Sequence, residues 1–364
     1  MSQRTSRLLA VLEEQGLPAM LITSPINIAY LSGFTGSHGA VLVTPAESFV
    51  LTDSRYVLQA GDESPGFAVC QLVEPGKEIA DWLVELAGRL GFDQCGFEAD
   101  HLTYAGHAAL AQGLAGRLEL HPTAGVVEGL RMLKDAAELD AMRRAIDLTD
   151  QVMDAVLPQL RPSHTERQAA WMLEQALREG GAERPSFPII VAAGPNAALA
   201  HHRPGDDLLG QGRPIIIDMG AHIGGYNGDL TRTIFLGEPD DRFWTIYDIV
   251  ADAQQRALAG VRPGVQAHEL DALARDHITA AGFGDQFGHG LGHGIGMEVH
   301  EVPFVRWTTP GGQSVPLQAG MVTSIEPGIY LEGWGGVRIE DLVLVTPKGC
   351  EILSSAAKIQ KVTG

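Results

Sequence analysis

The feature that most constrains this chain is a glycine-rich stretch between residues 286 and 301, which reads QFGHGLGHGIGMEVHE. So dense a run of glycines excludes a regular helix and lets the backbone approach a ligand closely. Three histidines, His289, His293 and His300, lie in the stretch, and imidazoles on such a backbone can reach a metal or a reacting substrate. A surface loop with chance histidines explains the stretch equally well, so the rest of the chain has to decide.

Length and charge exclude several classes of protein. The chain has 364 residues, which is enough for two domains, and a net charge of −19 from 45 acidic and 26 basic residues. Such a surface repels phosphate backbones, so we expect no nucleic-acid partner. No apolar run is long enough to span a membrane and no signal peptide is evident. Because the three cysteines are scattered and odd in number, we expect a reducing, cytoplasmic location.

The first part of the chain alternates strands and helices. We predict helices over residues 5–15, 78–90 and 104–114, and strands over residues 19–23, 40–43, 49–52, 68–72 and 94–97. A turn-rich segment over residues 24–39 separates the first two strands. The alternation predicts a small α/β domain over residues 1–125, which ends at His121-Pro-Thr-Ala-Gly.

Residues 126–364 have a different pattern, that of an α+β domain. Two long helices follow each other, the first capped by Asp135 with Glu138 three residues on and the second by Ser163 or Thr165. Further helices are predicted over residues 242–259 and 267–281. Strands are predicted over residues 187–192, 214–218, 228–235, 321–326 and 336–345. The repeated order of two helices and then acid-bearing strands predicts two similar halves.

Four acids lie in or beside the apolar strands of this domain, namely Asp218, Asp229, Glu326 and Glu340. A carboxylate solvated at a strand end, or paired with Arg232 or Arg338, explains any one of them. All four together with a glycine-flanked histidine are harder to explain in this way, because buried charges of one sign repel unless cations neutralise them. Four carboxylates and one imidazole suit a pair of divalent cations, and the oxygen-rich set favours manganese or cobalt over a sulfur-rich structural zinc site.

The order of these motifs resembles a known family. Residues from about 134 to 360 resemble the catalytic domain of the pita-bread metallopeptidases, which include methionine aminopeptidase, aminopeptidase P, prolidase and the metal-free creatinase. The matching motifs are Ile217-Asp-Met-Gly, Gly228-Asp-Leu-Thr-Arg-Thr, Gly290-Leu-Gly-His-Gly-Ile-Gly, Ser324-Ile-Glu-Pro-Gly-Ile-Tyr and Val337-Arg-Ile-Glu-Asp. The resemblance implies a pita-bread catalytic domain with pseudo-twofold halves, preceded by a smaller α/β domain of the creatinase type.

The resemblance also implies a role for each metal-site residue. Asp218 would bind one metal, His293 and Glu326 would bind the other, and Asp229 and Glu340 would bridge both. Glu326 would also be the catalytic proton shuttle. The cofactor would be two divalent ions, manganese in the first place, with cobalt or zinc as alternatives.

Other motifs resemble the proline-specific branch of the family, namely Glu298-Val-His-Glu and Ala200-His-His-Arg-Pro. By this resemblance His201, His289 and His300 would line the substrate site, and His289 or His201 would stabilise the tetrahedral intermediate as catalytic residues. His202 departs from the small or polar residue expected there, which leaves open which of the two adjacent histidines contacts substrate. A solvent-facing loop is the alternative explanation for both.

Recognition of a prolyl ring rests on shape, because an Xaa-Pro bond carries no N–H. The candidate substrate-binding residues for the pocket wall are Tyr330, His300 and Arg338. A dipeptidase would also need a cationic anchor for the free carboxylate, and Arg338, Arg203 and Arg306 are candidates.

Two motifs of the first domain, Gly33-Phe-Thr-Gly-Ser-His-Gly and the segment from Leu51 to Ala60, resemble aminopeptidase P, although a turn and a strand-to-helix junction also explain them. The leading hypothesis is therefore a two-metal Xaa-Pro aminopeptidase acting on peptides with proline in second position. The alternative is an Xaa-Pro dipeptidase (prolidase), and a less favoured one is an inactive peptide-binding module. Creatinase-like chemistry is disfavoured because the metal ligands are present. We also expect a homodimer or larger homo-oligomer, in which the first domain narrows the active-site mouth of a neighbouring subunit.

Overall fold

The computed structural model describes residues 2–73, 76–308, 314–358 and 361–362. The chain divides into two compact units, Met1–Arg131 and Met132–Gly364. The domain boundary expected at residue 125 falls inside the first unit, because the helix Val126–Arg131 belongs to that unit.

The first unit is built around one six-stranded sheet. Its helices are α1 (Gln3–Glu14), α2 (Pro25–Ser32), α3 (Val57–Glu63), α4 (Ile79–Leu90), α5 (Tyr104–Leu114) and α6 (Val126–Arg131). Its strands are β1 (Met20–Ile22), β2 (Ala40–Val43), β3 (Ser48–Thr52), β4 (Ala68–Gln71), β5 (Gln94–Glu98) and β6 (Glu119–Thr123). The sheet order is β4-β3-β2-β1-β5-β6, and the pairs β3–β4, β1–β5 and β5–β6 are parallel. The predicted α/β character of this unit is confirmed.

Sequence periodicity missed several short elements of the first unit, among them α2, α3 and β6. Helix α2 lies where a turn-rich segment was predicted, and β6 occupies most of the predicted boundary His121-Pro-Thr-Ala-Gly. Helix α2 begins with Pro25 in its first turn, where proline is tolerated, and ends at Gly33 with a φ of 85°. Its fully buried Asn27 interrupts the apolar periodicity from which helices were predicted.

The two motifs of this unit that resemble aminopeptidase P, residues 33–39 and 51–60, contact each other. Ser37 Oγ lies 2.6 Å from Tyr56 Oη, and His38 Nδ1 lies 3.1 Å from Asp53 Oδ2. Arg55 donates to both oxygens of Asp53. The motifs therefore form one hydrogen-bonded cluster at the ends of neighbouring strands.

The second unit contains four helices and several smaller sheets within its described residues. The helices are α7 (Ala136–Val156), α8 (Glu166–Glu179), α9 (Asp241–Gly260) and α10 (Ala267–Ala280). The first strands are β7 (Arg184–Pro185), β8 (Ile190–Ala193), β9 (Ile215–Met219), β10 (Ala221–Ile223), β11 (Tyr226–Asn227) and β12 (Leu230–Leu236). The later strands are β13 (Gly292–Gly294), β14 (Glu301–Val305), β15 (Val322–Ile325), β16 (Gly328–Leu331), β17 (Gly335–Arg338), β18 (Asp341–Thr346), β19 (Gly349–Ile352) and β20 (Lys361–Val362).

The helix starts follow from their capping residues. Asp135 accepts a hydrogen bond from the Glu138 N–H at 2.9 Å, and the Glu138 carboxylate accepts one from the Asp135 N–H at 3.0 Å. Thr165 and Gln168 form the same reciprocal pair at the start of α8, so Thr165 and not Ser163 is the cap. Each cap satisfies backbone donors that have no partner inside the helix.

The second unit has two halves of similar composition. In one, α7 and α8 pack on the sheet β20-β12-β9-β8 through apolar side chains such as Met153, Leu173 and Ile217. In the other, α9 and α10 share a core with strands of the sheet β14-β13-β15-β18-β19, through side chains such as Val250 and Ile325. The α+β fold with two halves is confirmed, and each half contributes acid-bearing strands to the site described below.

One predicted strand is wrong in its continuity. Residues 336–345 form two strands, β17 and β18, which belong to different sheets and are separated at Ile339 and Glu340. At the break the Glu340 N–H donates to the Thr231 carbonyl at 3.1 Å. The chain therefore leaves one sheet and enters another at the acid, and this turns Glu340 toward β12.

Candidate metal centre and active site

The four acids of the strands converge on one region of the second unit. Asp218 lies in β9, opposite Thr231 of the antiparallel strand β12, and Asp229 immediately precedes β12. Glu326 follows β15 directly, and Glu340 lies between β17 and β18. The glycine-containing turns between residues 219 and 229 return the second strand antiparallel beside the first.

His293 brings the glycine-rich stretch into this region. It lies in β13, and its Nε2 is 3.2 Å from Glu326 Oε1 and 3.8 Å from Asp229 Oδ2. Its Nδ1 is 3.0 Å from the Gly294 carbonyl, an acceptor, so a hydrogen bond there places the proton on Nδ1 and directs Nε2 toward the carboxylates. Asp229, His293 and Glu340 each offer one ligand atom, and these atoms lie within 4.8 Å of one another.

The close approach made possible by the glycines is to the protein's own backbone. A Cβ at Gly292 would lie 2.0 Å from the Ser324 carbonyl oxygen of β15, and one at Gly294 would lie 2.4 Å from the Val302 oxygen of β14. Any larger residue at either position would push β13 away from its neighbours. The glycines therefore seat His293 between two strands.

The carboxylates repel one another because they are buried together. Burial, followed by repulsion from Glu340, Asp218 and Glu326, raises the pKa of Asp229 well above its ordinary value. Burial and the charge of Glu326 raise the pKa of Glu340 in the same way. Burial also raises the pKa of Asp218, against the opposing effect of the Arg338 charge. Such a cluster is costly unless cations neutralise it.

Two oxygens of the cluster support the fit to cations. Within the described residues, the buried Asp218 Oδ1 and Glu340 Oε1 have no hydrogen-bond partner. Their sister oxygens are bound, Asp218 Oδ2 by Arg338 at 2.6 Å and Glu340 Oε2 by Thr231 at 2.9 Å. An oxygen-rich set with one imidazole nitrogen matches the preferences of divalent cations such as manganese. The residues present therefore fit metal binding.

The same region opens into a cavity of about 400 Å³, within the size range of small-ligand pockets. Of the residues predicted from sequence, the cavity is lined by His201, Asp218, Asp229, His289, His293, His300, Glu326, Arg338 and Glu340. Tyr330 is not among the lining residues, but its hydroxyl lies 2.9 Å from His289 Nε2 and accepts a hydrogen bond from Arg338 Nη1 at 2.9 Å. The structure thus brings all the predicted site residues together or into direct contact with the cavity wall.

The adjacent histidines of the Ala200-His-His-Arg-Pro segment have different surroundings. His202 Nε2 lies 2.8 Å from Glu166 Oε2, and the Glu166 side chain is fully buried. His201 is exposed and makes no side-chain hydrogen bond within the described part of the chain. The geometry therefore favours His201 as the one available to a ligand, because His202 is engaged by the protein.

Arg338 is held by the protein on several sides. Besides Asp218 and Tyr330, it donates to the Thr231 hydroxyl at 3.1 Å and to the Ala200 carbonyl at 3.2 Å. It is 3% exposed. Its charge therefore compensates Asp218 and orients Tyr330, and it is less available to a substrate carboxylate than the exposed Arg203 and Arg306.

The three histidines of the glycine-rich stretch differ in their pKa shifts. Burial opposes protonation of His293, but its hydrogen bond to Glu326 and the surrounding carboxylate charges outweigh burial and raise its pKa to about 9. Burial lowers the pKa of His289 below its ordinary value. Burial, followed by the charge of nearby His293, lowers the pKa of His300. His289 and His300 therefore favour the neutral imidazole.

Two residues that contact the candidate ligands were not predicted as site residues from the sequence. Thr231 donates to Glu340, and Ser324 Oγ lies 3.1 Å from Glu326 Oε1 while accepting the His293 N–H at 3.0 Å. Thr231 lies two residues after Asp229, and Ser324 lies two residues before Glu326. Since alternate residues of a strand share a face, a polar residue two positions from a candidate ligand was the available signal.

Comparison with known proteins places these features in a family. Residues 140–347 match the model of metallopeptidase family M24, and residues 4–133 match the creatinase/prolidase N-terminal domain. An Xaa-Pro dipeptidase of Pyrococcus horikoshii is 32% identical over 98% of this chain and 98% of its own length.

Two solved structures extend the comparison. An Xaa-Pro dipeptidase from Bacillus anthracis superposes with a TM-score of 0.92 at 37% identity, covering 98% of this chain and 99% of that one. An X-Pro aminopeptidase from Thermotoga maritima has a TM-score of 0.89 at 34% identity, covering 99% of this chain and 100% of that one. The resemblance to the pita-bread peptidases is confirmed.

Within the described residues no helix has the length and apolar character needed to cross a membrane.

A metallopeptidase of this family uses divalent metal ions, and the buried group of Asp229, His293 and Glu340 has a geometry that can hold one. From its two matched regions and its full-length relatives, the chain belongs to metallopeptidase family M24, with a creatinase/prolidase N-terminal domain before the catalytic domain.

Proposed function

We propose that this protein is a metal-dependent peptidase that hydrolyses the bond between a first residue and proline, and that its preferred substrates are Xaa-Pro dipeptides. The observation that carries the proposal is the shared cavity. It is lined both by the carboxylate cluster with His293 and by the candidate substrate histidines His201, His289 and His300.

The proposed metal ligands keep the roles expected from sequence: Asp218 would bind one ion, His293 and Glu326 would bind the other, and Asp229 and Glu340 would bind both. Bound divalent cations supply a nucleophilic water at neutral pH and polarise the scissile carbonyl. We propose manganese as the native metal, with cobalt or zinc as alternatives, because four of the five ligands are carboxylates.

Glu326 is the proposed proton shuttle. In the metal-free protein, burial opposes its ionisation, but the hydrogen bond and charge of His293 lower its pKa to about 2, so it is a carboxylate at neutral pH. It can accept the proton of the attacking water as the new C–O bond forms. It then delivers this proton to the proline nitrogen as the C–N bond breaks.

The neutral histidines are the proposed contacts to the substrate. An imidazole that stays neutral at pH 7 can donate one hydrogen bond to a carbonyl oxygen or to the oxyanion that develops from it. His289 and His300 both have lowered pKa values, and both line the cavity. His201 is the third candidate, since His202 is occupied by Glu166.

Two exposed arginines at the cavity favour dipeptides as substrates. Arg203 and Arg306 both line it, and neither forms an ion pair within the described residues. The free carboxylate of an Xaa-Pro dipeptide matches the guanidinium group in charge and in planar geometry. Two of the relatives described above are named Xaa-Pro dipeptidases. These observations support the dipeptidase better than the aminopeptidase that the first-unit motifs favoured.

The aminopeptidase stays the second candidate because of the Thermotoga maritima structure, which is named an X-Pro aminopeptidase. The two activities are separated by assaying Xaa-Pro, Xaa-Pro-amide and Xaa-Pro-Yaa with added manganese. The amide is the matched control, since it differs from the dipeptide in the charge at its end. We expect kcat/KM to be about 10- to 100-fold higher for the free dipeptide, the range of a charge-assisted contact.

Equal or better cleavage of the amide and the tripeptide would favour the aminopeptidase instead. If metal-loaded protein hydrolyses none of the three peptides, the result would favour the third hypothesis, an inactive peptide-binding module. If the preference for the carboxylate holds, Arg306→Ala and Arg203→Ala, made separately, identify which arginine binds it.

We also propose a cytoplasmic location and a homodimer or larger assembly. The three cysteines are free, which fits a reducing compartment. None of the five candidate ligands belongs to the first unit, so that unit is available for another role, such as contact with a neighbouring subunit. Sedimentation at assay concentration tests the assembly, and a fully active monomer would contradict it.

A further inference from the structure

A charged pair on helix α10 contacts the backbone of the glycine-rich stretch. Asp271 and Arg275 are one helical turn apart, and Arg275 donates to both carboxylate oxygens, through Nε at 2.7 Å and Nη2 at 2.9 Å. Arg275 also donates to the carbonyl of Phe287 at 2.8 Å and to that of His289 at 2.7 Å. Asp271 accepts the Leu291 N–H at 2.9 Å. The pair therefore binds the segment before, at and after His289.

The surroundings of the pair are unusual for two charged side chains. Asp271 is 1% exposed. The Arg275 guanidinium lies over two aromatic rings, with its central carbon 4.2 Å from the ring centre of Phe287 and 4.5 Å from that of Trp307. A buried ion pair is weak evidence for stability, because desolvation offsets its Coulomb energy. Its geometry here matches a different role, which is to fix a particular backbone conformation.

That backbone needs fixing because of its composition. His289 lies between Gly288 and Gly290, and a Cβ at position 288 would meet nothing within 4 Å. Gly288, which has no packing neighbour, leaves the chain before His289 free to adopt many conformations, whereas a Cβ at Gly290 would lie 3.0 Å from the Val305 carbonyl oxygen. The His289 ring contacts Tyr330 through Nε2 and the Gly290 carbonyl through Nδ1. Neither contact restrains the main chain of the residues before His289. The α10 pair supplies that restraint.

We infer that Asp271 and Arg275 are positioning residues that hold the His289 segment in the conformation needed for catalysis, without touching the substrate themselves. The inference rests on the proposed function, in which His289 contacts the reacting carbonyl. Neither residue lines the cavity, so any effect on turnover passes through the segment that they bind.

The test is a double-mutant cycle on Arg275 and His289. Arg275→Met removes the hydrogen bonds and keeps an unbranched side chain between the rings. We expect kcat to fall at least tenfold with KM changed less than about twofold, and metal content to be unchanged. In a His289→Ala background the same change should cost nothing further, since residues that act through one another are not additive.

The matched control is Arg178→Met, which breaks another i,i+4 pair, with Glu174 on α8, away from the cavity. It should leave kcat and KM as in the wild type. Arg275→Lys keeps the charge and should retain more activity than the methionine variant. It also serves in the cycle if the methionine variant does not fold.

Hydrogen–deuterium exchange separates this inference from the proposed function. The amides of residues 287–291 should exchange faster in Arg275→Met than in the wild type or in Arg178→Met, whatever the substrate. Absence of Xaa-Pro hydrolysis in the wild type would refute the function and leave the exchange result to decide on the restraint. Unchanged exchange in this segment, or a full additive loss in the His289→Ala background, would overturn the inference.

Discussion

Two parts of the cavity are built in opposite ways. The candidate metal ligands lie on strands or directly at their ends, and neighbouring strands hold their backbone in register. The candidate substrate histidines His201, His289 and His300 lie outside the strands, and the structure holds the first two segments by side chains from helices. The difference teaches that mutually repelling charged groups need the rigid backbone of paired strands to hold them together. The substrate histidines do not repel one another in this way, and side-chain contacts are enough to hold their segments.

The three histidines of one stretch show the same difference in their chemistry. His293, seated in β13 among carboxylates, has a raised pKa, while His289 and His300 have lowered ones. In the metal-free protein, the proton that His293 retains partly compensates the carboxylates. A divalent cation would compensate them better and would displace that proton, so metal binding and deprotonation are linked.

The largest effect is expected from removing a bridging acid. Asp229→Asn should abolish measurable turnover and reduce metal content, because it removes one charge of the buried cluster. The metal-free variant should nevertheless melt at the same temperature as the metal-free wild type or above it, since burial, followed by repulsion from the neighbouring carboxylates, raises the pKa of Asp229 and disfavours its charged form. Metal analysis and thermal unfolding check both points. Normal metal content with full activity would show that Asp229 is not a metal ligand.

A smaller, but severe, effect is expected at His300. His300→Ala should lower kcat on proline substrates about 100-fold, the typical cost of losing a group that stabilises the oxyanion. Its metal content should be unchanged, because His300 is assigned to the substrate. If the variant loses metal, His300 is a ligand and the role given to His293 is wrong.

A milder effect is expected for Tyr330→Phe, at the residue that contacts His289 and Arg338. It removes the hydroxyl between His289 and Arg338 and keeps the ring, so we expect a change of severalfold in selectivity for proline, within the roughly 1–3 kcal/mol of shape-based discrimination. Comparison of kcat/KM for Xaa-Pro and Xaa-Ala peptides measures it. An effect as large as that of His300→Ala would mean that the hydroxyl itself contacts substrate.

The segment of His201 offers a second test of how helices hold the histidines. Buried Glu166 accepts hydrogen bonds from the backbone of Ala193 and Gly205 and from the side chains of Asn196 and His202. Glu166→Gln removes the charge and half of the acceptor capacity, so we expect kcat/KM to fall about tenfold and the free energy of unfolding by about 1–3 kcal/mol. Glu174→Gln, at a half-buried acid of the same helix that does not line the cavity, is the control. Unchanged kinetics in Glu166→Gln would mean that His201 does not depend on this anchor.

The smallest effect is expected in the stability of metal-free protein as a function of pH. The His293 pKa of about 9 lies above the ordinary 6.5, so its contribution is fully present below pH 6.5 and is lost as the pH rises through 9. The raised pKa values of Asp229 and Glu340 act in the same direction, because the folded state binds more protons. Chelator-treated protein should therefore melt a few degrees lower at pH 9 than at pH 6.5.

Two measurements sharpen that result. Manganese should remove most of the pH dependence by replacing the protons with a cation. Glu326→Gln should reduce the dependence in metal-free protein, since Glu326 is the main partner of the His293 proton. A melting temperature that rises with pH in chelator-treated wild type would contradict the charge balance described above.

The sequence by itself determined the chemical composition of the site. Each candidate ligand lies in a short motif of apolar residues, glycine and an acid or histidine, and these local patterns also predicted about half of the described strands and the caps of α7 and α8. Local patterns succeed here because strand alternation and helix capping depend on residues only a few positions apart.

Tertiary structure alone decided how those groups are held. The break between β17 and β18 turns Glu340 toward Thr231, which lies 109 positions away in the sequence. No local pattern near either residue indicates this contact. The same is true of the choice between His201 and His202, which depends on Glu166, and of the restraint on His289, which depends on Asp271 and Arg275. Each is a contact between distant segments, formed only when packing brings their side chains together, and no local periodicity encodes such a contact.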